Sequence, residues 1–464
     1  MNVKAVFFGP PTTNVERPVL SPELNAAVAA RHSRSDVGLD GILEIIKGCA
    51  SQDEAVDRVF KHVDYGHRSI CDMVPVSIHM EGVSLWLVHL IWSLVSMGGG
   101  QETSTRYCDF SSSVNPGLKD DAEIKEWQAI ETECWNTYKA ASLFWSKVAE
   151  VRPDLVGVTP DMPPAKAQRF KNNFVFDRAR YAIPMTATTN MNVTTWGTEW
   201  IRIISMLRSM PSAWTEAHTL ASSLIDEVSL VAPRLIRHTS ATGAGQKFWE
   251  DRIDKGIALF GHPNYDGPTL RIGKHQALDS AGSRIAIRHN RYHPVDLELS
   301  MVPVTYGWGS VAFAEIRDMN RHRPGVRMLD FAPVGNYFAE DQFERVFESF
   351  SGEGSDFREL NKEHMDLKLK FLEMFEKVDQ FAVDVSFDTK SVGREAFVYF
   401  GTLGREMGFH HSNTLGHLIY ELELRTGPGT HFRYRKHYMD LYSELVRQVP
   451  SLDGALLLGT GEPE

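Results

Sequence analysis

The sequence predicts an α+β protein built from two related halves. A short apolar segment rich in β-branched residues occurs twice, at 73–77 (MVPVS) and at 301–305 (MVPVT). Each copy reads as a strand and is followed by glycine and an apolar helical run. Each half later carries a helix that ends in arginine, at 196–208 and 413–425. The repetition predicts an internal duplication in which each half has a small, mainly antiparallel sheet and long helices.

Smaller signals agree with this duplication. Ser84 and Ser310 follow the two strands and can cap the next helices. The glycine-containing segment 241–245 has the composition of a connection between the halves. We therefore expect two tandem domains, 1–245 and 246–464.

The remaining helices are predicted from periodicity and caps. Residues 123–150 place aromatic and aliphatic side chains on one face, and 212–231 begins with a serine after proline. Residues 341–381 are highly charged and interrupted near 351–354, and 430–449 forms the last helix. The most apolar segment, 84–97, is too short to span a bilayer and predicts a buried helix.

The composition argues against several classes of protein and several kinds of site. The 464 residues carry a formal net charge of −11, which argues against a protein that wraps nucleic acid. A few arginines can still form a local site for an anionic small molecule. The four cysteines form no CxxC pair, so we expect no disulfide framework and no zinc or other metal site. Without a signal peptide or a membrane span, we expect a cytoplasmic protein that does not bind membranes.

Two segments of the first half contain candidate ligand-binding or catalytic residues. Residues 98–107 read GGGQETSTRY, and residues 66–72 read GHRSICD. The three glycines can let the backbone approach a ligand, and Ser104 and Arg106 share one side if the chain is extended. Serine, arginine and backbone N–H groups together favour a phosphate site. Taken alone, each segment is more typical of a surface turn than of a ligand site.

Together, in this order, the two segments resemble the active site of the flavin-dependent thymidylate synthases, the ThyX family. The resemblance covers about 22–233 and includes the opening segment 30–35. It implies that Ser104 and Arg208 are catalytic. The substrate-binding residues that it implies are Gln101, Glu102, Ser104, Thr105, Arg106 and Arg180. In the first half it also implies that His67, Ser69 and Asp72 bind the flavin.

The chain departs from the family at one motif. Where the family has arginine-histidine-arginine, the first half has 94–96 (LVS), whereas the second half has Arg321, His322 and Arg323. The second half lacks the serine-x-arginine-tyrosine motif and has 331–334 (FAPV) instead. We expect one half to supply the nucleotide loop and the other Arg321–Arg323 and Arg425 for the flavin. Family members are homotetramers with shared sites, so the expected assembly is a homodimer that forms a pseudo-tetramer.

The resemblance implies reductive C5-methylation of dUMP to dTMP. FAD would be the cofactor, and NADPH and methylenetetrahydrofolate the co-substrates. Members of the family use no enzyme nucleophile. A nucleophilic role for Cys108 is the competing interpretation, but the sequence shows no adjacent base that could activate the thiol. A packing role for Cys108 is the simpler interpretation. Two alternatives stay open. One is C5-methylation or hydroxymethylation of another pyrimidine nucleotide. The other is a non-catalytic protein that binds nucleotide or flavin.

Overall fold

The computed structural model describes residues 1–6, 20–64, 67–108, 110–260, 267–348, 355–391, 393–427 and 429–459. Residue 66 of the second motif and the expected break at 351–354 lie outside these ranges. The strands are β1 (Asn2–Val6), β2 (Pro75–Ser84), β3 (Gly98–Glu102), β4 (Thr188–Trp196), β5 (Pro268–Ile272), β6 (Pro303–Ala312), β7 (Val326–Asn336) and β8 (Arg405–Thr414).

The helices alternate with these strands along the chain. They are α1 (Pro22–His32), α2 (Leu39–Lys47), α3 (Gln52–Asp64), α4 (Leu85–Leu94), α5 (Asp121–Val151), α6 (Pro153–Val156), α7 (Pro164–Ala179), α8 (Gly197–Arg208), α9 (Thr215–Val231), α10 (Gly243–Ala258), α11 (Ala281–Ala286), α12 (Leu297–Ser300), α13 (Phe313–Met319), α14 (Glu340–Glu348), α15 (Ser355–Phe387), α16 (Leu415–Arg425) and α17 (Phe432–Gln448). None of the helices in the described ranges has the length and apolar character that a membrane span requires.

The strands form two antiparallel four-stranded sheets with the same internal order. The first sheet is ordered β1-β2-β4-β3 and the second β5-β6-β8-β7. The repeated apolar segment opens β2 in one sheet and β6 in the other, and both strands begin at a proline. The α+β class and the repeated, mainly antiparallel sheets predicted from the sequence are therefore confirmed.

The chain divides into two compact units, each containing one sheet. The first unit comprises Met1–Thr103, Val114–Gly117 and Thr188–Asp251. The second unit comprises Ser104–Ser113, Leu118–Ala187 and Arg252–Glu464. Much of the first half of the sequence thus belongs to the second unit. The tandem division at residue 245 stays a prediction, although α10 begins inside the segment expected to be a loop.

In the first unit, the apolar helix α4 is buried beside β2. Ser84 caps it as expected: its Oγ accepts a hydrogen bond from the N–H of Leu87 (3.0 Å). The same hydroxyl donates to the buried carboxylate of Glu216 (2.7 Å). The corresponding expectation for Ser310 is wrong, because that residue lies within β6 and α13 follows Ala312, which makes no side-chain cap.

Two further helix boundaries differ from the sequence prediction. Helix α9 begins at Thr215 rather than at 212, because Trp214 occupies the N-cap position. The charged segment expected at 341–381 forms α14 and α15, and α15 extends to Phe387. In the second unit, Trp127 of α5 packs against Phe381 and Phe400, with ring centroids 5.3 and 4.9 Å apart. These aromatic contacts place α5 and α15 in the core that supports the site.

Candidate functional site

The glycine-rich segment forms a strand followed by a tight turn. In β3, a Cβ on Gly100 would meet the carbonyl oxygen of Asn192 at 2.0 Å, so glycine is needed for packing against β4. After β3, the Ser104 Oγ accepts a hydrogen bond from the N–H of Arg106 (3.2 Å). The Ser104 carbonyl oxygen accepts another from the N–H of Cys108 (3.1 Å). These bonds close a turn, so the segment is not extended beyond β3; the approach of a ligand to the glycines stays a prediction.

The turn presents Arg106 in the second unit, where two hydrogen bonds hold its side chain on Asp177. Nε lies 2.6 Å from Oδ1 and Nη2 lies 2.9 Å from Oδ2. Nη2 also donates to the carbonyl oxygen of Gly429 (3.2 Å). The two side chains are 16% and 9% exposed. Because the pair is shielded and bidentate, the plane of the Arg106 guanidinium is fixed.

Arg180 lies one helical turn after Asp177, at the end of α7, and it is almost completely buried. Its Nη1 lies 3.5 Å from the hydroxyl of Thr105 and 3.3 Å from Oδ2 of Asp318. Its Nη2 lies 3.4 Å from Oε1 of Glu315. The turn at 104–106 therefore meets the end of α7 through Thr105, and Arg180 in turn reaches the acidic side chains of α13.

Asp318 is surrounded by four guanidinium groups, which we call the arginine cluster. Its members are Arg106, Arg180, Arg317 and Arg321. Arg321 lies 3.3 Å from Oδ1 of Asp318. Burial by itself raises the pKa of Asp318, but Arg321, Arg180 and the other arginines hold that pKa below its usual range. The carboxylate is therefore ionised and acts as an internal counter-ion of the cluster.

Glu315 is the third carboxylate of this region, and it is fully buried. Burial raises its pKa, against the opposing effects of Arg433 and Arg180. Oε1 accepts a hydrogen bond from the hydroxyl of Tyr181 (2.8 Å), and Oε2 lies 3.4 Å from Nη1 of Arg433. Glu315 is thus shared between Arg180 and Arg433, and Arg433 also pairs with Glu406.

The residues of the arginine-histidine-arginine motif differ in their surroundings. The side chain of Arg321 is 35% exposed and belongs to the arginine cluster, whereas His322 is buried. Burial lowers the pKa of His322 well below its usual value. Its Nε2 therefore carries a lone pair and accepts a hydrogen bond from Nε of Arg425 (2.7 Å). Arg323 is half-buried, and burial together with Arg321 lowers its pKa.

The first unit contains the other predicted cofactor residues. His67, Ser69 and Asp72 are exposed around a short 3₁₀ helix at Arg68–Met73. A cleft of about 270 Å³ is lined by Arg34, His67 and Ser69. A neighbouring cleft of about 310 Å³ also contains Arg34. Because they share a wall, we treat the two as one groove and call it the Arg34 cleft.

The Arg34 cleft is basic. Arg31 and Arg58 line its larger part together with His62. The Nε of Arg31 is buried and has no hydrogen-bond partner among the described residues. Exposed polar side chains and a buried unsatisfied guanidinium nitrogen fit an elongated anionic ligand such as the pyrophosphate of a dinucleotide.

The remaining predicted residues also lie in the first unit. Gln101 and Glu102 end β3, and the N–H of Gln101 donates to the side chain of Asn192 (2.7 Å). Arg208 ends α8 as expected; it is exposed and donates to the carbonyl oxygen of Thr239 (3.3 Å). In the second unit Cys108 is exposed, which contradicts the expectation that it packs in the core.

Several important residues were not singled out from the sequence. Asp177, Arg317, Asp318 and Glu315 hold the arginine cluster together, and Arg34 lines the first-unit cleft. One signal was present: Asp318 precedes Arg321 by three residues, a spacing that brings opposite charges together at a helix end. No local pattern connects Asp177 with Arg106, because their contact depends on how α7 packs.

Comparison with known families is consistent with this geometry. Residues 19–234 match the family model described as Thymidylate synthase complementing protein. No curated protein matches the chain.

Proposed function

We propose that this chain is a flavin-dependent thymidylate synthase, the family whose model residues 19–234 match, and that it catalyses the reductive C5-methylation of dUMP to dTMP. The main support is the meeting of the 104–106 turn with Arg180 in one arginine-rich cluster. These residues are far apart in sequence, and the resemblance implies for both the same role at the phosphate of the nucleotide.

The arginine cluster would bind the phosphate. A nucleotide phosphate carries close to two negative charges at neutral pH, and four guanidinium groups converge on Asp318. Arg106 is oriented by Asp177, so little side-chain freedom remains to be lost on binding. Ser104 and Thr105 would add hydroxyl donors from the same turn.

Catalysis would depend on positioning and on fixed positive charge. As C5 of the pyrimidine becomes nucleophilic, negative charge builds on the ring carbonyls, and preorganised cations stabilise it. Arg208 is the proposed cation for this step, whereas Arg321 and His322 stay proposed cofactor contacts of the second unit. Gln101 and Glu102 are proposed as further substrate contacts. No nucleophilic cysteine is required.

The Arg34 cleft would hold FAD. When bound, the flavin supplies the reducing electrons, which NADPH replenishes, and methylenetetrahydrofolate supplies the carbon. His67 and Ser69 would hydrogen-bond to the cofactor, and Arg31 and Arg34 would pair with its pyrophosphate. Asp72, whose carboxylate accepts a hydrogen bond from the hydroxyl of Thr198, would be a further acceptor. Arg323 and Arg425 remain proposed cofactor contacts of the second unit.

Release of tritium from C5-labelled dUMP tests the reaction. We expect release that depends on methylenetetrahydrofolate, NADPH and FAD, and a purified protein that is yellow and bleaches with NADPH. Exposed Arg447 pairs only locally with Glu444, so R447A is a matched control that should keep full activity. Absence of release with every cofactor present would contradict the proposal. A homodimer is the proposed assembly, and its mass is measurable by analytical ultracentrifugation.

A second function is favoured by one observation. Asp318 already occupies the centre of the arginine cluster, where a phosphate would bind. A protein that binds a nucleotide or flavin without turnover would tolerate such a residue. Binding of dUMP or FAD without tritium release would support this function. Product analysis would separate methylation of dUMP from methylation or hydroxymethylation of another pyrimidine nucleotide.

A further inference from the structure

The second unit contains a buried group of histidines and a glutamate apart from the arginine cluster, which we call the Glu421 cluster. His417 and Glu421 lie one turn apart on the same face of α16. His322 follows α13, and His411 lies on the central strand β8 beside Tyr306 of β6. One ligand atom from each of His322, His417 and Glu421 lies within 4.8 Å of the others.

The carboxylate of Glu421 is oriented by two tyrosines. The hydroxyls of Tyr306 and Tyr438 donate to Oε2, at 2.7 and 2.9 Å. Oε1 faces the histidines, 3.4 Å from Nδ1 of His411 and 3.2 Å from Nε2 of His417. Because the two tyrosines hold Oε2, the other carboxylate oxygen, Oε1, is directed at the imidazoles. In metal sites, hydrogen bonds from outside the ligand shell orient carboxylate ligands in the same way.

Two buried atoms of the Glu421 cluster, Oε1 of Glu421 and Nε2 of His417, face each other. They are 3.2 Å apart, but among the described residues neither makes a hydrogen bond of good geometry. A buried carboxylate oxygen held only by such a contact is incompletely satisfied. A shared cation between the two atoms would satisfy both.

We propose that the Glu421 cluster binds a divalent transition-metal ion, Zn²⁺ being the natural candidate, through His322, His417 and Glu421. Two imidazoles and one carboxylate are a ligand set that Zn²⁺ uses with an open fourth position. At zinc–ligand distances near 2.1 Å, tetrahedral ligand atoms are about 3.4 Å apart, so ligand atoms that now lie up to 4.8 Å apart must draw together when the ion binds. His417 is 20% exposed and gives the ion a path from solvent.

Arg425 sets the main cost of binding. Its Nε donates to Nε2 of His322, so a metal ion at this nitrogen must displace it. The neighbouring positive charge also repels the ion. Replacing Arg425 with alanine should therefore tighten metal binding. A ligand that binds through the Arg425 side chain itself would instead no longer bind to this variant. The proposal concerns the second unit only and does not depend on the proposed synthase activity.

Titration of the full-length, metal-stripped chain with Co²⁺ and Zn²⁺ tests the proposal. We expect one Co²⁺ per chain with visible d–d absorption, and displacement by Zn²⁺. The near-isosteric variants E421Q and H417N should weaken Zn²⁺ binding at least about 100-fold, and Y438F about tenfold. H364Q removes a half-buried histidine that stacks on Phe343 away from the cluster, and it should bind as the wild type does.

Each outcome of the titration has a meaning. No cobalt spectrum and no stoichiometric Zn²⁺ binding by the wild type would overturn the proposal, whatever the variants do. Equal binding by wild type, E421Q and H417N would also overturn it and assign the ion to an adventitious site. Circular dichroism of each variant separates loss of ligands from loss of fold. Tighter binding by R425A would confirm that the arginine competes with the ion.

Discussion

The two sheets share one strand order but surround different chemistry. In the first unit, the apolar helix α4 ends at Leu94, and Val95 is fully buried. In the second unit, the shorter helix α13 carries Glu315, Arg317 and Asp318, and the chain continues into Arg321. The helix after the second strand of the sheet is therefore an apolar core helix in the first unit (α4) and carries the charged residues of the candidate site in the second unit (α13). The strand order is thus the same in both units, whereas the residues of this helix differ in charge.

We expect the largest effect on stability from the removal of Asp318, the counter-ion of the arginine cluster in the second unit. D318N leaves Arg180 and Arg321 without their shared carboxylate, so we expect the free energy of unfolding to fall by about 3–5 kcal/mol. Affinity for dUMP should rise, because the phosphate no longer competes with Asp318. Chemical denaturation and calorimetric titration measure the two effects.

D154N is the matched control for D318N. Asp154 is 62% exposed and pairs with Arg152, so its loss should cost less than about 1 kcal/mol. If D318N weakens dUMP binding in a folded protein, Asp318 supports the nucleotide site rather than occupying it.

Substitution of Arg106 tests whether the cluster is catalytic. We expect R106A to lower turnover about 100- to 1,000-fold, the usual effect of removing one preorganised donor. R106K keeps the charge but loses the two-point contact with Asp177 and should fall between R106A and the wild type. Tritium release and dUMP affinity are the measurements. Full activity of R106A or of R323A would contradict the expectation that one half of the chain supplies the nucleotide loop and the other half the residues Arg321–Arg323.

The sequence predicted the class, the duplicated strands and the arginines that meet in the second unit. It could not predict which carboxylates pair with them. Arg106 and Arg180 were expected to contact one phosphate, yet Asp177, Glu315 and Asp318 neutralise most of their charge. These contacts join residues from distant parts of the chain, and helix packing decides them. The sequence left open whether 104–106 is extended or turned, and the hydrogen bond from the N–H of Arg106 to Ser104 accompanies the turn.

Acid should affect the two units in opposite directions. The pKa of Asp318 lies below its unfolded value near 4. Its stabilising contribution is complete above that pH and is lost as the pH falls through the folded pKa. In the first unit, burial raises the pKa of Glu23 despite its hydrogen bonds to Arg234. Its contribution is therefore greatest at low pH and is lost as the pH rises through the folded pKa.

Unfolding measured between pH 5 and pH 3 separates these contributions. The fall in the free energy of unfolding with acid should be smaller in D318N than in the wild type, by about 1 kcal/mol over this pH range. In E23Q the fall should be steeper, because the opposing titration is gone. Parallel curves for the wild type and both variants would show that neither carboxyl contributes.

The smallest test compares the two helix caps. Ser84 caps α4 through the N–H of Leu87, whereas Ala312 at the equivalent position before α13 makes no side-chain bond. S84A should lower the free energy of unfolding by about 1–2 kcal/mol, since it removes the cap and one donor to the buried Glu216. A312S adds a hydroxyl where Ala312 is fully buried, so it should gain about 0.5 kcal/mol at most. Equal and opposite effects would mean that the caps are interchangeable and that the two helices differ only in their ionisable residues.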